Sequence, residues 1–83
     1  MRISGNSSSG HHISIEIRYL IYGFIYNEEY NSHSFGLCML DSQNDKWYVT
    51  NISKEVGHHI IDTITKQGWY ILDDDMILEL SPT

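Results

Sequence analysis

The sequence predicts a small α+β protein, an antiparallel sheet with one helix packed across one of its faces. Strand-like segments rich in isoleucine, tyrosine and tryptophan recur through residues 13–52, and β-branched and aromatic residues favour strands. A capped apolar stripe of helical spacing follows at 53–68, and further strand-like sequence occupies 69–80. The predicted order is therefore β-β-β-α-β, with the last part either a final hairpin or one edge strand.

The first twelve residues, MRISGNSSSGHH, predict a flexible N-terminal arm. Serine and glycine dominate this segment, and only Ile3 offers an apolar side chain to pack. It also has no apolar run of the kind found in a signal peptide. Residues 13–83 are assigned to one α+β domain, because a chain of 83 residues is sufficient for a single core.

Residues 13–26 predict one long strand. Isoleucine at every second position from 13 to 17 alternates with polar residues, the period of a strand with one buried face. From Tyr19 onward both faces are apolar, and Gly23 is a candidate β-bulge. After a polar loop at 27–33, alternation resumes at 35–40, and the turn sequence DSQND leads into a third strand at 47–52.

The helix is predicted from its two ends and its apolar stripe. Ser53 can accept a hydrogen bond at the N-cap, and Glu55 suits the positive end of the helix dipole. Lys66 suits the last turn, and Gly68 stands where a left-handed residue is expected. The stripe consists of Val56, Ile60, Ile61 and Ile64.

The charge of the chain bears on the partners it can bind. Five basic residues stand against eleven acidic ones, a formal charge of −6, and the basic residues form no cluster. Because nucleic-acid binding requires several phosphates to be neutralised, direct binding of DNA or RNA is disfavoured. A protein with a basic surface is the better match, although the same charge would also serve solubility.

The cysteine and apolar content indicate a cytoplasmic setting. Cys38 is the single cysteine, so no intramolecular disulfide can form. The longest apolar stretch, 19–26, is interrupted by Gly23 and is too short to cross a bilayer.

No motif predicts a catalytic, cofactor or metal site. The histidines form two adjacent pairs, at 11–12 and 58–59, and adjacent side chains do not converge on one ion. A cluster of His33, Cys38 and His59 would depend on an unproven fold. Cys38 lies in the apolar run FGLCML, where a buried, inert thiol is the usual outcome.

Acidic turns and surplus aromatic residues are the candidate binding groups. The Asp73–Asp75 run is interpreted mainly as a turn. The second interpretation is a contact for lysine or arginine of a partner. The aromatic residues exceed what one small core needs, and tyrosine and tryptophan are frequent binding anchors. The residues assigned to partner binding are Asp73, Asp74, Asp75, Glu28, Glu29, Tyr22, Tyr26 and Trp69.

These observations favour a non-enzymatic protein-binding module. The leading hypothesis is a small acidic inhibitor, of the immunity, antitoxin or phage anti-defence type, that blocks a basic surface of an enzyme or nucleic-acid-binding partner. The alternative is a self-associating accessory subunit that forms a homodimer through its aromatic residues. A third hypothesis is a small enzyme that uses Cys38 with His33 or His59.

Overall fold

The structure is a computed structural model. It describes residues 1–27 and 32–81, with side chains for 1–21 and 36–81. Its elements in chain order are β1 (Arg2–Asn6), β2 (His12–Asn27), β3 (Ser32–Asp41), β4 (Lys46–Thr50), α1 (Lys54–Gln67), β5 (Trp69–Ile71) and β6 (Ile77–Leu80).

Five of the strands form a closed barrel. The order around it is β2-β3-β4-β6-β1, and β1 returns to pair with β2. Neighbours are antiparallel, except that β1 and β6 meet in parallel at Asn6 and Ile77. β5 is added outside the ring, parallel to β1. The predicted α+β sheet is therefore wrong: the described residues are mostly β-strand in a closed barrel, with one helix.

The closing strand β1 lies in the segment that the sequence predicts to be a flexible arm. Ile3 is fully buried in the core, and β1 pairs with β2 on one side and with β5 and β6 on the other. Residues 7–11 form a tight connection, in which the Ser7 amide donates to the His11 carbonyl at 2.8 Å. The flexible arm is thus a wrong prediction, because pairing along both edges orders a segment that has little apolar content of its own.

The long strand β2 confirms the predicted strand, but its irregularity lies elsewhere than expected. The register with β3 shifts between Ile17 and Tyr19, which leaves Arg18 as the extra residue. Gly23 instead pairs in regular register with Gly36. A bulge reverses which residues face inward, so Ile17 is buried before it, whereas Tyr19 and Ile21 after it are exposed.

The two following strands confirm the predicted meander. β3 pairs antiparallel with both β2 and β4. The polar loop predicted at 27–33 is too long, because Asn27 belongs to β2 and residues 32–33 belong to β3. Residues 28–31 lie outside the described residues.

Helix α1 confirms its predicted ends. Ser53 has extended backbone angles, and its side chain accepts from the Val56 amide, whereas Gly68 is left-handed at φ 86° and donates to the Ile64 carbonyl. Ile60 and Ile64 are fully buried, so the predicted stripe is the face that packs on the barrel.

The last two strands run in the same direction, since β5 and β6 are both parallel to β1. The predicted final hairpin is therefore wrong. The two strands behave as one extended strand that the acidic turn interrupts. Its first part lies beside the start of β1, and its second part completes the barrel between β1 and β4.

The core gathers one or two residues from almost every element. Its members are Ile3, Ile17, Leu37, Met39, Val49, Ile60, Ile64, Leu72, Met76 and Leu78.

Candidate protein-binding surface

Strand β5 lies at the edge of the sheet and exposes two large apolar side chains. Trp69 is 51% exposed and Ile71 is 60% exposed. Residues two apart on a strand share a face, so both point to the outside of the barrel. Tyr70, between them, is half-buried, and its ring meets that of His59 edge-on at 6.2 Å. Burial, reinforced by the nearby Asp73 carboxylate, raises the pKa of Tyr70.

The turn that follows β5 carries three exposed carboxylates, Asp73, Asp74 and Asp75. Neutral groups hold it in place. The Met76 amide donates to the Asp73 carbonyl at 3.0 Å, and the Asn51 side-chain amide donates to the Asp75 carbonyl at 2.6 Å. We call Trp69, Ile71 and this turn the β5 surface.

No lysine or arginine in the described part of the chain forms an ion pair with these three carboxylates. The nearest basic residue in the strand register is Arg2, which lies opposite Trp69. Its guanidinium is bound to Glu16 at 3.1 Å and donates to Ser14 at 3.2 Å. The negative charge of the turn is therefore available to an outside cation.

The structure brings together four of the predicted binding residues, namely Trp69 and the three aspartates. Glu28 and Glu29 lie outside the described residues. Tyr22 and Tyr26 belong to the part of β2 that pairs with β3, whereas β5 pairs with β1. Their side chains are not among those described, and their backbone is on another part of the barrel.

Ile71 is a member of the surface that sequence reasoning missed. The sequence signal that could have found it is spacing, because residues two apart on a strand share a face and Ile71 therefore lies on the same face as Trp69. The exposed Tyr19 and Ile21 on β2 form a second apolar spot, although the Arg18 guanidinium lies 5.3 Å above the Tyr19 ring.

A shallow groove of about 500 Å³ is a further feature that only the closed barrel creates. It lies between the β1–β2 connection and strands β4 and β6. Its lining mixes serine hydroxyls with apolar side chains, among them Ser7, His11, Trp47 and Leu80.

The structure does not bring together the cysteine and histidine side chains that were considered for catalysis or metal binding, as far as they are described. Cys38 is half-buried on β3 opposite Tyr48. Burial raises the pKa of its thiol, although Lys46 and a hydrogen bond from Tyr48 act in the opposite direction. A raised pKa reduces the thiolate that a nucleophile requires. Within residues 1–21 and 36–81, no three His, Cys, Asp or Glu side chains converge on a metal position, and the His33 side chain is outside this set.

No helix in the described ranges is long and apolar enough to span a membrane. Comparison with protein-family models, with curated proteins and with solved structures finds no match to this chain. A function must therefore be argued from the β5 surface itself.

Proposed function

We propose that this protein is an acidic protein-binding module that docks on a basic surface of an enzyme or nucleic-acid-binding partner and blocks it. The type of inhibitor is that of an immunity protein, an antitoxin or a phage anti-defence protein. The observation that carries the proposal is the β5 surface, where two exposed apolar side chains adjoin three carboxylates that form no ion pair with a lysine or arginine of the described residues.

The two halves of the β5 surface have different roles. Trp69 and Ile71 supply apolar area that a partner can bury, and tryptophan is among the residues most often found at energetic centres of interfaces. The carboxylates of the acidic turn accelerate encounter with a cationic partner and select its orientation. Large apolar residues and unpaired charge side by side are the anchor and the rim of a protein interface.

The whole-chain charge supports the same class of partner. At −6, the protein repels nucleic acid and attracts basic surfaces, including those that bind nucleic acid. Action in the cytoplasm is part of the proposal, supported by a single cysteine that can form no intramolecular disulfide.

The test is a quantitative pull-down from the native host or from its infected cells, with three baits. The first is the wild-type protein, and the second carries Asp73→Asn, Asp74→Asn and Asp75→Asn. The third is a matched control that removes equal charge elsewhere, through Asp45→Asn, Glu55→Gln and Asp62→Asn. All three control positions are exposed.

We expect one stoichiometric basic partner on the wild-type and control baits, released as salt rises. The acidic-turn variant should bind it at least about tenfold more weakly, mainly through slower association. Equal binding of both variants, or recovery of no basic partner, would contradict the proposal.

Self-association is the second candidate, because Tyr19 and Ile21 expose apolar area on β2. Mass in solution distinguishes the two candidates. A stable dimer that dissociates when Ile21 is changed to Ser would favour self-association over inhibition of a partner.

A further inference from the structure

We infer that the outer edge of β5 binds an extended, lysine- or arginine-containing segment of the partner as an additional strand. This inference deepens the proposed function and rests on it, since it specifies how the β5 surface would engage a basic protein.

The hydrogen-bond pattern shows which backbone groups of β5 are free. The Arg2 amide donates to the Gly68 carbonyl at 2.9 Å, and the Leu72 amide donates to the Ser4 carbonyl at 2.8 Å. Successive residues of a strand point their N–H and C=O groups to opposite edges, so the N–H and C=O of Tyr70 also face β1. The opposite edge of β5 therefore presents the N–H and C=O of Ile71 and the N–H of Trp69.

That edge is only partly protected. The Gln67 side chain donates to the Trp69 carbonyl at 2.9 Å, which occupies one acceptor. No hydrogen bond within the described residues engages the backbone of Ile71 on this side. Unpaired strand edges are the template for strand addition, and Ile71 offers a donor and an acceptor together.

The exposed side chains flank the same backbone. Side chains of an added strand would lie beside Trp69 and Ile71 on the outer face, where cross-strand pairs of aromatic and β-branched residues are favourable. The acidic turn begins two residues after Ile71, within reach of a long basic side chain on the added strand.

Charge favours a basic segment over a second copy of this chain. A second copy carries the same −6 charge, and in parallel edge pairing its Asp73–Asp75 turn would approach this one. Charged residues at a strand edge discourage such self-pairing. A segment with lysine or arginine instead gains attraction from the same turn.

The experiment uses two short capped peptides with the isotope-labelled protein. One alternates lysine with valine and can pair as a strand. The other alternates lysine with proline, so it has equal charge but has lost the backbone N–H of every second residue. Affinity and the hydrogen-exchange rates of the Ile71 and Trp69 amides are measured at low salt, at several protein concentrations.

We expect the lysine–valine peptide to bind at least about tenfold more tightly than the lysine–proline peptide and to slow Ile71 amide exchange by about tenfold or more. The variant Ile71→Pro should lose this difference, because it lacks the N–H on the free edge. The peptide pair tests the same point if that variant does not fold.

Three results would overturn the inference. Equal affinity for both peptides with unchanged Ile71 exchange would mean docking by charge alone, and the proposed function would stand. Protection of Ile71 that grows with protein concentration alone would mean self-pairing. Failure of both peptides to bind would exclude strand addition, and the pull-down then decides the proposed function separately.

Discussion

Asp41 organises the turn between β3 and β4 through its carboxylate. One oxygen, Oδ1, accepts from the backbone amides of Gln43 and Asp45, each at 2.9 Å. The other, Oδ2, accepts from the Trp47 indole N–H at 2.9 Å. The indole hydrogen bond is the main reason that the pKa of Asp41 lies below its usual range; loss of solvent around the carboxylate opposes it, and the amides of Asp45 and Gln43 each lower the pKa by less.

The lowered pKa predicts how the effect of Asp41→Asn on the free energy of unfolding depends on pH. Because the folded pKa lies below the unfolded one, the charge stabilises the fold above about pH 4 and ceases to do so as pH falls through the folded value. We therefore expect the variant to have a lower free energy of unfolding than wild type near neutral pH, and this difference should shrink as pH falls below about 4 and through the folded pKa. Urea unfolding followed by fluorescence measures this. Asp45→Asn, which removes equal charge from the same turn, should lower the free energy of unfolding by less. An equal loss for the two variants would exclude a specific role of the Asp41 hydrogen bonds.

At the scale of one element, helix α1 is defined by local signals at both ends. Ser53 accepts from the Val56 amide at 3.2 Å, and Gly68 ends the helix in a left-handed conformation. Each of these depends on residues within one turn of the helix. This explains why the helix could be predicted from sequence with its ends correct.

Removal of the N-cap hydroxyl of Ser53 is expected to destabilise helix α1. Ser53→Ala leaves a helix amide unpaired and should lower the free energy of unfolding by about 1 kcal/mol. Ser53→Thr keeps the hydroxyl and should lie close to wild type. Urea unfolding compares the three proteins, and equal losses for Ala and Thr would show that the cap hydroxyl does not contribute.

At the scale of the whole molecule, barrel closure depends on the close approach of β1 to Leu72. A Cβ on Gly5 would lie 2.7 Å from the Leu72 Cδ1 and 3.0 Å from its Cβ. Leu72 is nearly fully buried and cannot move outward without leaving the core. Gly5 is therefore required for contact between the closing strand and the segment that links β5 to β6.

Gly5→Ala should accordingly destabilise the fold by about 1–3 kcal/mol through overpacking. Leu72→Ala alone should cost about 2–5 kcal/mol through the lost side chain. The double variant should be more stable than the sum of the two losses predicts, by about 1 kcal/mol, because the second change makes room for the first. Strict additivity in urea unfolding would contradict this contact.

The local parts of this protein could be predicted from its sequence: the capped helix, the long strand β2, the meander and the position of the acidic turn. Each follows from neighbours along the chain, through periodicity, capping or turn residues. The β5 surface was half predictable in the same way, since Asp73–Asp75 and Trp69 were recognisable as candidate binding groups by residue type.

Two features depend on contacts between distant parts of the chain: the closure of the sheet and the position of β5 at its edge. β1 contains one large apolar residue, Ile3, in a polar context, so its stability comes from partners distant in sequence. The exposure of Ile71 and the free edge of β5 follow from that closure. On one side of β1, β5 pairs with Arg2–Ser4 and β6 pairs with Asn6, so β5 is left outside the ring. Pairing between distant segments carries no signature in local composition, and this is the physical reason the barrel was not predicted.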